Sequence, residues 1–279
     1  MKTKMKKNIK FIALLLIASN LFTACKKDEN DTQVAVKMTD DPFPIEMVNA
    51  ANIGVAKIEL KDSEGNYVTV FNGNTEVNMV NYTNGATANV SVNTVPEGTY
   101  TEAKITLNSA SVELSDGRSF NASVSASTGY TVSIYPAVVV AEGDTGVLLI
   151  DMDLSDSFGF QASGWGGWID DISTITGLSF FSPDFRAVNL SQTGSIEGSI
   201  TDDNGNAVAY AYVQVQYDYD GDGQPETVST IADANGHYAI IGLPEGTYTV
   251  SAESENGDGI QANVEVLVKH NVAANVTIN

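Results

Sequence analysis

Asp233-Ala234-Asn235-Gly236-His237-Tyr238-Ala239-Ile240-Ile241-Gly242-Leu243-Pro244-Glu245-Gly246-Thr247-Tyr248-Thr249-Val250 is the stretch whose reading decides the fold. It predicts a turn, a strand over 236–241, a second turn and a strand over 247–253. In the second turn Pro244 fixes φ and Gly246 supplies the backbone freedom a tight turn needs. Tyr248 then opens a strand with its ring packed inward, and Val250 shares its face. Val95-Pro96-Glu97-Gly98-Thr99-Tyr100 repeats the same turn: either both domains use a similar loop into a strand or the same turn chemistry is used twice, and the flanks, which do not repeat, favour the second.

Outward from there, short alternating runs such as Val55-Ala56-Lys57-Ile58-Glu59-Leu60 and Lys104-Ile105-Thr106-Leu107 carry strand periodicity from Val34 on. Ser63-Glu64-Gly65-Asn66, Ser115-Asp116-Gly117-Arg118 and Asp203-Asn204-Gly205-Asn206 read as hairpin turns. Only Pro44–Ala51 and Ile169–Thr176 have room for short helices. A polar stretch at Ser191-Gln192-Thr193-Gly194 marks a boundary. After it come seven predicted strands: 195–201, 208–218, 226–232, 236–241, 247–253, 260–268 and 271–278. Their core faces are Ile196/Ile200, Val213/Val215, Tyr248/Val250 and Val264/Val266/Val268. The fold class is all-β, with two β-sandwich domains at 34–192 and 193–279.

With Gly198-Ser199-Ile200-Thr201-Asp202 and Ala211-Tyr212-Val213-Gln214-Val215 added, the opening stretch resembles the carboxypeptidase regulatory-like domain over 194–279. That resemblance implies a seven-stranded, prealbumin-like sandwich of carbohydrate-binding-like type, usually an appended non-catalytic module. Residues 34–190 resemble the domain of unknown function 4382 of bacterial surface lipoproteins. The likeness rests on Val36-Lys37-Met38-Thr39-Asp40-Asp41-Pro42, Ile53-Gly54-Val55-Ala56-Lys57-Ile58-Glu59-Leu60, Pro96–Tyr100, Leu149-Ile150-Asp151-Met152-Asp153 and Pro183-Asp184-Phe185-Arg186-Ala187-Val188. No catalytic residue comes with it.

The chain begins with Lys2, Lys4, Lys6, Lys7 and Lys10, an apolar run Phe11–Ile17, and Leu21-Phe22-Thr23-Ala24-Cys25. A charged start, an apolar core too short to span a bilayer and a small residue before the lone cysteine read as an export signal over 1–24. The segment resembles the bacterial lipoprotein signal, which implies a lipid-modified Cys25 and a membrane attachment through it. The tether, 25–33, carries Lys26-Lys27-Asp28-Glu29, similar to the signal by which Bacteroidota send lipoproteins to the outer face of the outer membrane.

Removing residues 1–24 takes five lysines and no acid from the 14 basic and 35 acidic residues, leaving 9 against 35 and a formal charge of −26. Such a surface repels phosphate backbones, so no nucleic-acid partner is expected. With one cysteine, the cores carry the stability without disulfides. His237 and His270 are the only histidines, and neither sits in a nucleophile context, so no enzyme activity is expected. Asp40/Asp41, Asp151/Asp153 and Asp170/Asp171 form carboxylate pairs of the kind that chance produces in so acidic a chain.

Asp218-Tyr219-Asp220-Gly221-Asp222-Gly223-Gln224-Pro225-Glu226 places oxygens at alternate positions and glycine sixth, like the first half of a calcium loop. Ser229 stands where an EF-hand has its bidentate glutamate, so Glu226 has to close a Ca2+ site; an acidic hairpin without metal is the other reading. Trp165 and Trp168 lie in a glycine-rich stretch, either stacking on sugar rings or packing with Phe158, Phe160, Phe180 and Phe181 as a lid. Together these features describe a lipid-anchored surface protein that binds carbohydrate or another extracellular ligand through sandwich-end loops. The alternative is a spacer or adhesion module that docks to partner proteins without binding glycan.

Overall fold

The computed structural model of the chain describes residues 31–41, 47–124, 129–162, 172–217, 226–255 and 257–279. Its N-terminal part comprises β1 (Gln33–Asp41), β2 (Val48–Asp62), β3 (Tyr67–Asn78), β4 (Ala88–Thr94), β5 (Gly98–Leu114), β6 (Ser119–Asn121), β7 (Tyr130–Val140), β8 (Thr145–Asp153), a single helical turn α1 (Leu154–Ser157), β9 (Phe158–Ala162), β10 (Ile175–Phe181) and β11 (Asp184–Asn189). The C-terminal part comprises β12 (Gly194–Asp202), β13 (Tyr212–Tyr217), β14 (Glu226–Ile231), β15 (His237–Leu243), β16 (Gly246–Ser254), β17 (Gly257–Val266), β18 (Asn271–Ala273) and β19 (Val276–Ile278).

The N-terminal strands run β3-β2-β5-β7-β11-β8-β1-β4, with β6 paired to β5. A single pair, Ala187 to Ile134, joins β11 to β7, so the order divides there into two sheets. Both close over one core that includes Met38, Ile53, Leu60, Ile105, Val112, Leu148 and Ile150. Along the middle of β2 the buried apolar side chains are Ala51, Ile53 and Val55, then Ile58 and Leu60. That change of phase falls at the register shift between Val55 and Lys57, because an extra residue turns every later side chain to the other face.

In the C-terminal part, β15-β12-β18, with β19 also on β12, packs on β14-β13-β16-β17. Ile196, Ile200, Val213, Val215, Tyr248, Val250, Val264 and Val266 are buried between them, as the alternation predicts. Val268 departs from the expectation, since β17 ends at Val266 and Val268 lies in the following turn. The three expected hairpin turns form, with Gly65, Gly117 and Gly205 at positive φ. The repeated turn is built the same way twice: Tyr100 Oη donates to Pro96 O at 2.8 Å, and Tyr248 Oη donates to Pro244 O at 2.9 Å.

The two expected helices do not form among the described residues. Val48–Ala51 opens β2, where pairing with β5 outweighs a short helix's weak intrinsic preference. Ile172–Thr174 makes one 3-10 turn and Ile175 already belongs to β10. Residues 44–46 and 169–171 lie outside the described residues. No helix among the described residues is long and apolar enough to cross a membrane.

Candidate functional site

β1, β8 and β11 lie side by side, β1 parallel to β8 and β8 antiparallel to β11. Their register sets Asp41 opposite Asp153 and Asp153 opposite Asp184. Two residues along, Thr39, Asp151 and Arg186 form the next row on the same face, because side chains alternate with period two. Neighbouring strands are about 4.8 Å apart, so three carboxylates stand in a ladder, an arrangement that like-charge repulsion disfavours. Asp156 joins them from α1, whose first turn Asp153 caps: its Oδ1 accepts from Asp156 N at 2.9 Å and from Ser155 Oγ at 2.7 Å. These five acids, with Phe185, Arg186 and Thr227, line an open cleft of about 280 Å³. Asp41 and Asp151 are buried at its floor, and Asp156 and Asp184 are exposed at its rim.

Arg186 is the cation of this cluster. Its Nη2 lies 2.6 Å from Asp151 Oδ2, with side chains only 12% and 6% exposed. Asp41 Oδ1 accepts from Ser229 N at 2.9 Å. Asp151 Oδ1 and both oxygens of the adjacent Asp40 are buried without a hydrogen-bond partner. Burial pushes the Asp40 carboxyl well above the usual carboxylate range, and the charges of Asp151, Asp41 and Asp153 push it further. The Leu154 amide favours the charged form slightly without reaching ordinary hydrogen-bond geometry. Asp41 is raised by burial and Asp151, with Arg186 opposing. Asp184 is raised by burial and then by Asp153 and Asp156, and Asp156 by Asp153 first. One guanidinium cannot neutralise so many carboxylates, so the cluster favours taking up a proton or a cation.

The cleft sits where the sandwiches meet. β14 and β15 are the edges of their two sheets, and an edge exposes unpaired backbone groups. Side chains of the N-terminal sandwich pair them. Asn84 Oδ1 accepts from Ala239 N at 2.6 Å and Asn84 Nδ2 donates to His237 O at 3.2 Å, imitating a neighbouring strand. Arg186 donates to Gly242 O at 2.8 Å and Ile241 O at 3.3 Å, and Asp41 takes the Ser229 amide. Leu149 and Val188, with Leu190 beside them, pack against Tyr217 and Ile241 across the seam. Gly242, at φ +71, approaches so closely that a Cβ there would meet Leu149 and Val188 side-chain atoms at 3.0 Å.

Beside the cleft, the outer face of β13, β16 and β17 forms a groove of about 180 Å³ lined by Tyr212, Gln214, Ser251, Glu253, Asp258 and Ile260, with Ala252 and Gly259. Cross-strand register aligns Tyr212 with Glu253, and Glu253 with Asp258. Tyr212 is 37% and Ile260 66% exposed. Burial of part of the Tyr212 phenol raises its pKa, a hydrogen bond with Ser229 opposes this, and the charges of Asp41, Asp153 and Asp156 raise it further.

Cys25, Lys26, Lys27, Asp28, Glu29, Trp165, Trp168, Asp218, Asp220 and Asp222 lie outside the described residues. Glu226 opens β14 opposite Tyr217. Among the described residues no group of three or more His, Cys, Asp or Glu side chains is arranged to hold a metal ion. His237 and His270 are exposed and are not among the residues lining the cleft: His237 N donates to Asp233 in a turn, and His270 Nδ1 contacts Val268 O. Of the lid aromatics, Phe158 and Phe181 stack at 4.7 Å.

Sequence reasoning set aside the carboxylates that the fold gathers. Asp40/Asp41 and Asp151/Asp153 passed for chance pairs, yet they end adjacent strands. The signal that points to them is that three of the five segments carrying the resemblance to the domain of unknown function 4382 each hold an acid at a strand end: Asp40-Asp41, Asp151-Asp153 and Asp184.

The model of the domain of unknown function DUF4382 matches residues 31–169, and that of the carboxypeptidase regulatory-like domain matches residues 195–279. The chain is a DUF4382 domain followed by a carboxypeptidase regulatory-like domain. The DUF4382 match stops before β11, although β11 lies between β7 and β8 in the sheet and supplies Asp184 and Arg186. The carboxypeptidase regulatory-like domain is a non-catalytic type of module, and its edges β14 and β15 are the ones DUF4382 covers. No curated protein matches the chain.

Among solved structures, a putative carbohydrate binding protein from Pseudomonas aeruginosa is 17% identical, with 32% of this chain and 90% of that one covered and a TM-score of 0.22. BcpA, the major pilin subunit of Bacillus cereus, is 10% identical over 88% of this chain and 99% of that one, at 0.24. A cohesin–X-dockerin complex from Acetivibrio cellulolyticus is 25% identical over 30% and 52%, at 0.21. Scores at this level carry no inference about function.

Proposed function

We propose that this DUF4382 protein is a non-catalytic binding module of the cell surface, held on the outer membrane through a lipid on Cys25, that engages glycan on the outer face of its C-terminal sandwich. The observation that carries the reading is the groove beside the junction. Tyr212 and the apolar Ile260 offer surface for a sugar ring, and Gln214, Ser251, Glu253 and Asp258 offer hydrogen bonds to its hydroxyls. A ligand there rests on a sheet face, which holds its contacts in place better than a loop does.

A glycan array probed with residues 26–279, with calcium and with chelator, tests it. The expected result is a hit that Tyr212→Ala reduces about tenfold while leaving the melting curve in place. An array blank in both conditions, or binding indifferent to Tyr212→Ala, contradicts the reading.

The second reading, a spacer that docks to partner proteins, draws on the seam itself. Backbone groups of two edge strands are paired by Asn84, Arg186 and Asp41, which suits a module that transmits position from the membrane to a partner.

A further inference from the structure

We infer that a second cleft at the junction, sharing no residue with the acidic one, binds a tetrahedral oxyanion, sulfate or phosphate. It measures about 370 Å³ and is lined by Thr87 and Leu190 of the N-terminal part and by Ser195, Lys269, His270 and Asn271 of the C-terminal part. No acid is among the described residues that line it, although the chain has 35 acids against 14 lysines and arginines. The basic residues around it are also the uncompensated ones. Of the other described lysines and arginines, Lys57, Lys61, Arg118 and Arg186 are each ion-paired with an acid, and Lys104 lies over the Tyr67 ring. Lys37 and Lys269 have no ion pair with an acid among the described residues. Lys269 lines the cleft, and Lys37 Nζ donates to Thr87 Oγ1 in its wall at 3.3 Å.

The turn that carries Lys269 is fixed in place. Lys269 N donates to Thr193 O at 2.8 Å, Ser195 N to His270 O at 2.9 Å and His270 N to Leu267 O at 3.1 Å, so residues 267–270 are clamped to the start of β12. Lys269 has φ +61, a left-handed conformation in which glycine or asparagine is the cheaper residue. A lysine kept at such a position supplies a charge that the turn itself does not need. Beside it, Thr87 accepts from Lys37 and so keeps its own O–H to donate. The Ser195 hydroxyl and the Asn271 amide side chain carry no other hydrogen bond among the described residues. Single hydroxyl and amide donors around an ammonium, with no guanidinium fork, suit the spread oxygens of a tetrahedral anion better than a planar carboxylate. At physiological salt, charges beyond about 8 Å are largely screened, so the bases lining the cleft outweigh the net charge of the chain.

The test is an amide NMR titration of residues 26–279 with sodium sulfate, sodium phosphate and sodium acetate at constant ionic strength. Sulfate and phosphate are expected to shift the amides of Ser195, Lys269, His270 and Asn271 saturably, and acetate to bind about fivefold more weakly. Asparagine suits the left-handed position, so Lys269→Asn removes the charge without straining the turn. Affinity should fall about fivefold or more in Lys269→Asn and about twofold or more in Lys37→Gln, and should hold in Lys57→Gln, which removes an equal charge elsewhere. Glucose 6-sulfate and glucose 6-phosphate separate the sources of the group. Tighter binding than the free ion marks an oxyanion carried on a larger molecule, and weaker binding marks the ion itself. No saturable shift with either tetrahedral anion, unchanged affinity in Lys269→Asn, an equal loss in Lys57→Gln, or acetate bound as tightly as sulfate would overturn the inference.

Discussion

At the scale of the residue, the junction acids are where this chain departs most from an ordinary hydrophobic fold. Asp40 and Asp41 have raised pKa values in the folded state, so they bind protons more tightly there than in the unfolded chain. Their favourable contribution is complete below the ordinary carboxylate pKa of about 4 and is lost as pH rises through the raised values. Asp62, Asp116, Asp202 and Asp233 act oppositely, because backbone amide hydrogen bonds and, in Asp202 foremost, the Asn206 side chain lower them; what they contribute is present above about pH 4 and is lost in stronger acid. The melting temperature is therefore expected to rise from pH 8 to about pH 5 and to fall again in stronger acid. Asp40→Asn removes a buried charge, so it should stabilise the chain at pH 8 by about 1 kcal/mol or more and flatten that slope; calorimetry across pH checks both. Alternation in sequence assigns these residues to strand ends but not to neighbouring strands. Asp41 and Asp153 are opposite each other only because β1 and β8 run parallel after a long excursion, which no local pattern records.

At the scale of the element, Arg186 in β11 fastens three things at once: Asp151 of β8 and two carbonyls at the end of β15. Arg186→Ala leaves Asp151 buried and uncompensated, so a loss of about 3–5 kcal/mol is expected from denaturant unfolding at neutral pH. Arg186→Lys keeps the charge but loses the fork, and should recover only part of that loss. Strand identity itself was legible, as Ile196/Ile200, Val213/Val215 and Tyr248/Val250 all lie in the core. Less legible were places where a residue is inserted or a partner overrides propensity. The bulge at Val55/Lys57 shifts the phase of β2, and pairing with β5 turns Val48–Ala51 into strand.

At the scale of the whole molecule, the sequence separates two domains at a polar boundary, and the structure joins them through more than that boundary. The open edges of the carboxypeptidase regulatory-like sandwich are completed by side chains from DUF4382, and the acidic cleft lies along the same seam. The pairing residues are far apart in sequence, Asn84 reaching Ala239 and Asp41 reaching Ser229, so a reading of each domain alone could not find them. Amide hydrogen exchange at Ala239 and Ser229 tests this seam most directly. Both amides are predicted to be protected like ordinary strand amides in the intact chain, with Asn84→Ala releasing Ala239 and Asp41→Ala releasing Ser229. Exchange at the rate of open edge strands in the unaltered chain would contradict the account.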